Sequence, residues 1–230
     1  MLESVKILHL ETSSTVCSVS ISVGEKIIDT IEVNDGYTHA ENLHVFIDQA
    51  SKKSEIELRE IQAIAISSGP GSYTGLRIGM SAAKGLCHVL QIPLIGVSSL
   101  LSICYSAEKK TKKSYYIPMI DARRMEVYFA VYDDEMNEVV SPSALVLNED
   151  SVKIFKKYKD AIFLGSGVEK SKNILENTGS HEYLTQVYHS SRHLLKPALK
   201  SYYEKKFLDL AYSEPEYLKE FYDARKHQKE

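Results

Sequence analysis

Apolar and polar residues alternate along Val16-Cys-Ser-Val-Ser-Ile-Ser-Val23 and again along Lys26-Ile-Ile-Asp-Thr-Ile-Glu-Val33, with Gly24-Glu25 between the two runs. A period of two is the spacing of strand residues that share a face, and the glycine supplies a turn. Together with Val5-Lys-Ile-Leu-His-Leu-Glu11, the pattern predicts an antiparallel meander of three strands. The period then lengthens. Leu43, Phe46, Ile47 and Ala50 recur at i, i+3, i+4 and i+7, which predicts a helix running to about Lys52, and Thr38 with Glu41 has the spacing of a capping box.

A buried strand over Ile61–Ser67 leads into a turn at Gly69-Pro-Gly71 and a helix starting near Thr74, whose hydroxyl can cap it. Gly75 and Gly79 each cost about 1 kcal/mol relative to alanine in a helix. With Ala83 they line one face at four-residue spacing, so another backbone or a ligand can come close. A phosphate loop would need Lys and Ser or Thr after its glycine, and Leu76 and Arg77 stand there instead. A nucleophile elbow would need glycines two residues either side of Ser72, where Pro70 and Thr74 stand. A helix start behind a glycine turn can still hold an anion or a partner's carboxylate. Close packing within the fold is the alternative.

Further on, Leu94–Val97 predicts a strand and 98–106 a helix, before a lysine-rich stretch, 108–113, that marks a boundary between residues 1–107 and 108–230. The second part repeats the theme, with strands over 115–120 and 126–132, another at 143–147 and a polar helix at 149–158. A strand at 161–164 and a Gly165-Ser-Gly167 turn then lead into a helix at 168–177. A last helical repeat spans Arg192–Phe207, with Pro197 kinking it or marking its true start. Strands followed by alternating helices and strands, twice over, make an α/β protein of two lobes.

With 43% apolar and 26% charged residues, the chain is neither disordered nor membrane-embedded in composition. No apolar run approaches the roughly 20 residues of a bilayer span, and Glu3 and Lys6 interrupt the place of a signal core, which points to the cytoplasm. The net charge of -3 argues against this chain gripping a nucleic acid by itself. Basic clusters at 109–113, 153–159 and 196–206 read as solvated faces. Cys17, Cys87 and Cys104 are scattered and odd in number, so they read as core residues in a reducing compartment. His39 and His44, five apart, do not share a helix face as paired metal ligands would.

Ser68-Gly-Pro-Gly-Ser-Tyr-Thr-Gly-Leu-Arg-Ile-Gly79, then Ala83-Lys-Gly-Leu86 and Pro93-Leu-Ile-Gly-Val-Ser-Ser99, resemble the signature of the TsaB (YeaZ-like) family. Asp121-Ala-Arg123, Glu126-Val-Tyr128 and Glu214-Pro-Glu-Tyr-Leu-Lys219 extend the resemblance from near residue 5 to about 221. It implies two ribonuclease H-like, actin-like (ASKHA) lobes. It also implies a non-catalytic subunit of the machinery that forms threonylcarbamoyl-adenosine in tRNA. Such a subunit pairs with a TsaD-like transferase and a TsaE-like ATPase, meets tRNA only through the complex, and forms a homodimer when alone.

In that family the pairing surface comes from the first two helices, which nominates His39, Leu43, Arg77 and Met80 alongside Gly75, Gly79 and Ala83. Thr12, Ser13, Asp121 and Arg123 occupy the two turns that surround nucleotide phosphate in actin-like ATPases. Both turns depart from the useful pattern. Glu11 stands where relatives show Asp, and Arg123 stands at a glycine place. Ser99 and Ile103 fall where the resemblance places the two metal-binding histidines of TsaD. The expectation is therefore no tightly bound cofactor and no metal, with ATP or ADP held, if anywhere, at a subunit junction. The competing expectation is a small-molecule kinase or ATPase of the same fold that uses Glu11 and Asp121 near a metal. A glycoprotease lacks any supporting motif.

Overall fold

The computed structural model describes residues 4–36, 38–107, 113–179 and 181–219. Strands β1 (Lys6–Glu11), β2 (Cys17–Val23), β3 (Lys26–Val33), β4 (Ala63–Gly69) and β5 (Leu94–Ser98) form one sheet in the order β3-β2-β1-β4-β5. The meander expected from the alternation is there: β1 pairs antiparallel with β2 and β2 with β3, while β4 joins β1 in parallel. Central strands are covered on both sides, and their alternate residues part accordingly. Leu8, Leu10, Ile64 and Ile66 face helices α1 (His39–Ser54) and α2 (Tyr73–Leu90); Ile7, Ala63 and Ala65 face the other way, onto α5 (Leu195–Tyr203).

A second sheet repeats this plan with β6 (Tyr115–Asp121), β7 (Glu126–Asp133), β8 (Glu138–Val146), β9 (Ala161–Leu164) and β10 (Glu182–Leu184) in the order β10-β9-β6-β7-β8. Read from β8, it has the topology of the first sheet. One face holds Ile117, Met119 and Phe163 against Phe155 and Val168, the latter opening α4 (Val168–Leu175). The opposite face holds Tyr116, Ile120 and Ile162 against Leu100, Ile103 and Cys104 of α3 (Ser99–Ala107).

The sheets divide where the lysine-rich stretch predicted, although 108–112 lies outside the described residues. The packing does not divide there. α3 precedes the boundary and packs on the second sheet, whereas Leu194, Ala198 and Leu199 follow it and pack on the first. The strands thus divide into two sheets on either side of that stretch, while the cores do not follow the division.

Local corrections have simple causes. Thr38 makes no capping box, because its hydroxyl donates to Asp35 Oδ1 (2.6 Å) and accepts from Asn42 (2.8 Å). Ser72, not Thr74, caps α2 by accepting from the Gly75 amide at 3.2 Å. β8 starts earlier than its apolar run, residues 151–157 wind as a 3-10 helix, and α4 ends at Leu175. Pro197 sits in the first turn of α5, where a missing amide hydrogen costs little. All three cysteines are free and buried, as expected. Among the described residues no helix is long and apolar enough to cross a membrane.

Candidate functional site

The turn after β1 and the start of α2 are built into each other. The buried Glu11 carboxylate accepts the Ser13 amide (2.7 Å) through one oxygen and the Ser67 hydroxyl through the other. The Ser72 amide donates to the Ser13 carbonyl at 2.7 Å, and His39 Nε2 binds the Ser14 carbonyl at 2.8 Å. A Cβ on Gly75 would collide with the Thr12 carbonyl, and one on Gly79 with the Thr12 hydroxyl.

The close approach that the small residues permit is therefore made by this chain's own turn. Gly75, Gly79, Ala83 and Met80 point inward with Leu43, and His39 is buried too, so six of the seven residues nominated for the pairing surface lie within the lobe. Arg77 alone is exposed. The four-residue spacing carried the right physics to the wrong neighbour, because it marks a face that admits close contact without saying whose.

The outward side of the same helices is a different set. α2 exposes Thr74, Arg77, Ser81, Gly85, His88 and Val89, and α1, which packs beside α2, exposes Glu41, His44, Val45, Asp48 and Gln49. Val89 is 78% exposed and Val45 48%. A Cβ placed on Gly85 meets nothing within 4 Å. Val45, Gly85 and Val89, small or apolar among polar neighbours on two adjacent helices, are the kind of exposed residue a docking helix can cover.

Of the expected nucleotide residues, Ser13, Asp121 and Arg123 have internal partners, whereas the buried Thr12 hydroxyl has none among the described residues. Thr12 and Ser13 are buried, and Ser13 Oγ meets His189 Nδ1 at 3.1 Å. Asp121 Oδ1 accepts the Arg123 amide at 2.7 Å and Lys170 Nζ at 2.5 Å. Arg123 and Arg124 both have left-handed backbones, φ 66° and 47°, at the tip of the β6–β7 hairpin. The Ser13 and Arg123 amides, backbone donors at the two turns, are thus each bonded to a carboxylate of this chain. Thr12 and Ser13 follow β1 directly and Asp121 ends β6, corresponding places in the two lobes, and no hydrogen bond or ion pair joins the two sets among the described residues. Ser99 and Ile103 are buried on α3. No group of three or more His, Cys, Asp or Glu side chains suited to a metal occurs among the described residues.

The sequence also concealed a polar clamp. The segment before α5 returns to the first sheet through Ser191, whose hydroxyl lies 2.8 Å from that of Ser18, and through Ser190, which donates to Glu32 at 2.7 Å. Burial holds His189 below the ordinary imidazole pKa, with Glu11 pulling the other way. Nothing periodic in 188–191 announces these contacts, which are between residues more than 150 positions apart.

Two sheets of one topology, a meander joined to parallel strands and wrapped by helices, define a duplicated ribonuclease H-like protein of the actin-like class. The crystal structure of a Pseudomonas aeruginosa protein described as similar to peptidase YeaZ superposes with a TM-score of 0.84 at 24% identity, covering 94% of this chain and all of that one. The chain belongs to the family described as "TsaD: tRNA N6-adenosine threonylcarbamoyltransferase", whose model matches residues 36–222, and within it to the TsaB (YeaZ-like) members. It is 32% identical to the TsaB of Escherichia coli over 58% of each chain. It is 28% identical to the TsaB of Buchnera aphidicola subsp. Schizaphis graminum over 82% of this chain and 90% of that protein. Both relatives are described as tRNA threonylcarbamoyladenosine biosynthesis proteins.

Proposed function

We propose that this chain is a non-catalytic subunit in the formation of N6-threonylcarbamoyladenosine in tRNA, pairing with a TsaD-like transferase and working with a TsaE-like ATPase. It takes part in that biosynthesis as its TsaB relatives do by name. One observation carries the non-catalytic reading. The turns that would serve a nucleotide are tied up by Glu11, Ser13 and Lys170, while Val45, Gly85 and Val89 lie exposed on α1 and α2. The partner supplies the chemistry, and tRNA meets this chain only through the complex. ATP or ADP is held, if at all, where subunits meet. Without its partner the same face pairs with itself as an isologous dimer.

Affinity purification from the native cell tests the assignment and is expected to bring down TsaD-like and TsaE-like chains. The variant Gly85→Arg, which has room for its side chain in the free protein, is expected to fold normally and lose the TsaD-like chain. Recovery of that chain at wild-type yield would remove α2 from the interface. The isolated protein is expected to show no appreciable ATP turnover. A robust magnesium-dependent rate abolished by Asp121→Ala would instead establish the small-molecule kinase or ATPase.

A further inference from the structure

The end of the described chain, 204–219, contains neither helix nor multi-residue strand, yet it is fastened along much of its length. Leu208 donates its amide to the Leu94 carbonyl at 2.8 Å, bridging the edge of β5, and its side chain lies against Gly96. Lys84 Nζ reaches the carbonyls of Ala211 and Ser213, each at 3.1 Å. The Glu216 amide donates to the Ser68 carbonyl at 2.7 Å, and the Lys219 ammonium pairs with Glu126 in the second lobe.

These attachments lay the strap along one flank of α2. Residues 73, 77 and 84 share that flank by helical spacing, on the side away from Gly75 and its contact with His39. There Tyr217 meets Arg77. Arg77 Nε donates to the Tyr217 hydroxyl at 3.0 Å, the guanidinium carbon lies 3.9 Å from the centre of the Tyr73 ring and 5.7 Å from that of Tyr217, and the two rings are 5.0 Å apart.

The arginine is exposed but not loose. One of its five N–H donors is engaged, and among the described residues no carboxylate forms an ion pair with it; Glu214 acts on it only through longer-range attraction. A guanidinium held against two rings with its planar fork unspent has already lost part of the rotamer freedom that binding would remove. It matches a carboxylate bidentately in a way a lysine cannot.

We infer that Tyr73, Arg77 and Tyr217 form a preset receptor for an acidic side chain of the partner subunit. It lies at the margin of the α1–α2 face and makes the strap part of the interface. The inference rests on the pairing reading above and names the chemistry of one contact within it.

Titration of the TsaD-like chain into the full-length protein by calorimetry, at low and high salt, tests it. Arg77→Ala is expected to weaken pairing about tenfold and to flatten its salt dependence. Arg77→Lys should be nearly as weak, since the charge returns without the fork. Tyr217→Phe keeps the ring, removes the hydroxyl that Arg77 grips, and should cost roughly threefold. Because the hydroxyl is exposed, that variant decides the matter if an arginine variant proves unstable.

Unchanged pairing by Arg77→Ala, alongside loss of pairing by Gly85→Arg, would overturn the receptor and leave the pairing reading standing. Wild-type pairing by both would overturn the reading itself. If Arg77→Ala weakened tRNA binding while protein pairing stayed intact, the anion would be a phosphate and the inference would fall.

Discussion

Gly79 and Gly85 lie six residues apart on one helix and will respond in opposite ways to added bulk. Gly79 faces the Thr12 hydroxyl and Ile66, so Gly79→Leu is expected to destabilise the isolated chain by at least about 1–3 kcal/mol, the usual cost of overpacking. Gly85 faces open space, and Gly85→Ala is expected to stabilise by about 0.5–1 kcal/mol through helix propensity alone. Urea unfolding of the two variants checks both signs.

His9 makes a second prediction at this scale. Its Nε2 lies 2.8 Å from the Ser22 hydroxyl, and complete burial lowers its pKa from 6.5 to about 3. The unfolded chain therefore takes up a proton near pH 6.5 that the folded chain refuses until about pH 3. Stability falls as pH drops through that window, by at most about 1.4 kcal/mol per pH unit for this group. His189 and His193 are shifted the same way by burial, against the pull of Glu11. The urea midpoint is expected to be lower at pH 5 than at pH 7.5, with a shallower decline in His9→Gln. A flat profile would mean that His9 is not held neutral in the fold.

At the scale of elements, what was legible in the sequence is what has a period. The meander, α1, α2, β4 and β5 could be read because alternate or helical spacing places residues on a face, and the burial of Leu8, Leu43 and Ile64 agrees with that spacing. The second sheet was legible except for β10, three residues long and too short to show alternation. Spacing does not name the element that covers a face. Hence the small-residue stripe on α2 suits a docking surface and internal packing equally, and no period marks the outward side around Gly85. The strap was illegible for the same reason: its contacts from Leu208 to Leu94 and from Tyr217 to Arg77 span more than 100 positions and follow no repeat. Leu208 gives the strap its apolar anchor. Leu208→Ala is expected to speed hydrogen exchange across β5 and to lower the unfolding midpoint modestly, whereas Phe207→Ala, next to it and exposed, should change little.

The whole molecule is two sheets fastened by exchange. Leu100, Ile103 and Cys104 of α3 are buried against the second sheet, and Leu194, Ala198 and Leu199 against the first. Such apolar contacts tie the two sheets together through buried side chains. They also make the parts dependent on each other. A fragment ending at residue 107 is expected to lack a cooperative unfolding transition and to bind a hydrophobic dye, because Ile7, Ala65, Ile95 and Val97 would lose their cover. Cooperative melting of that fragment would show that the first lobe stands alone.

The late return of α5 has a consequence for synthesis. About 90 residues separate the end of α3 from Leu199. At the usual pace of translation they take roughly 5–20 s to emerge from the ribosome. For that interval one side of the nascent first sheet has nothing of its own to lie against, so newborn copies of this protein should be substrates for chaperones until α5 arrives.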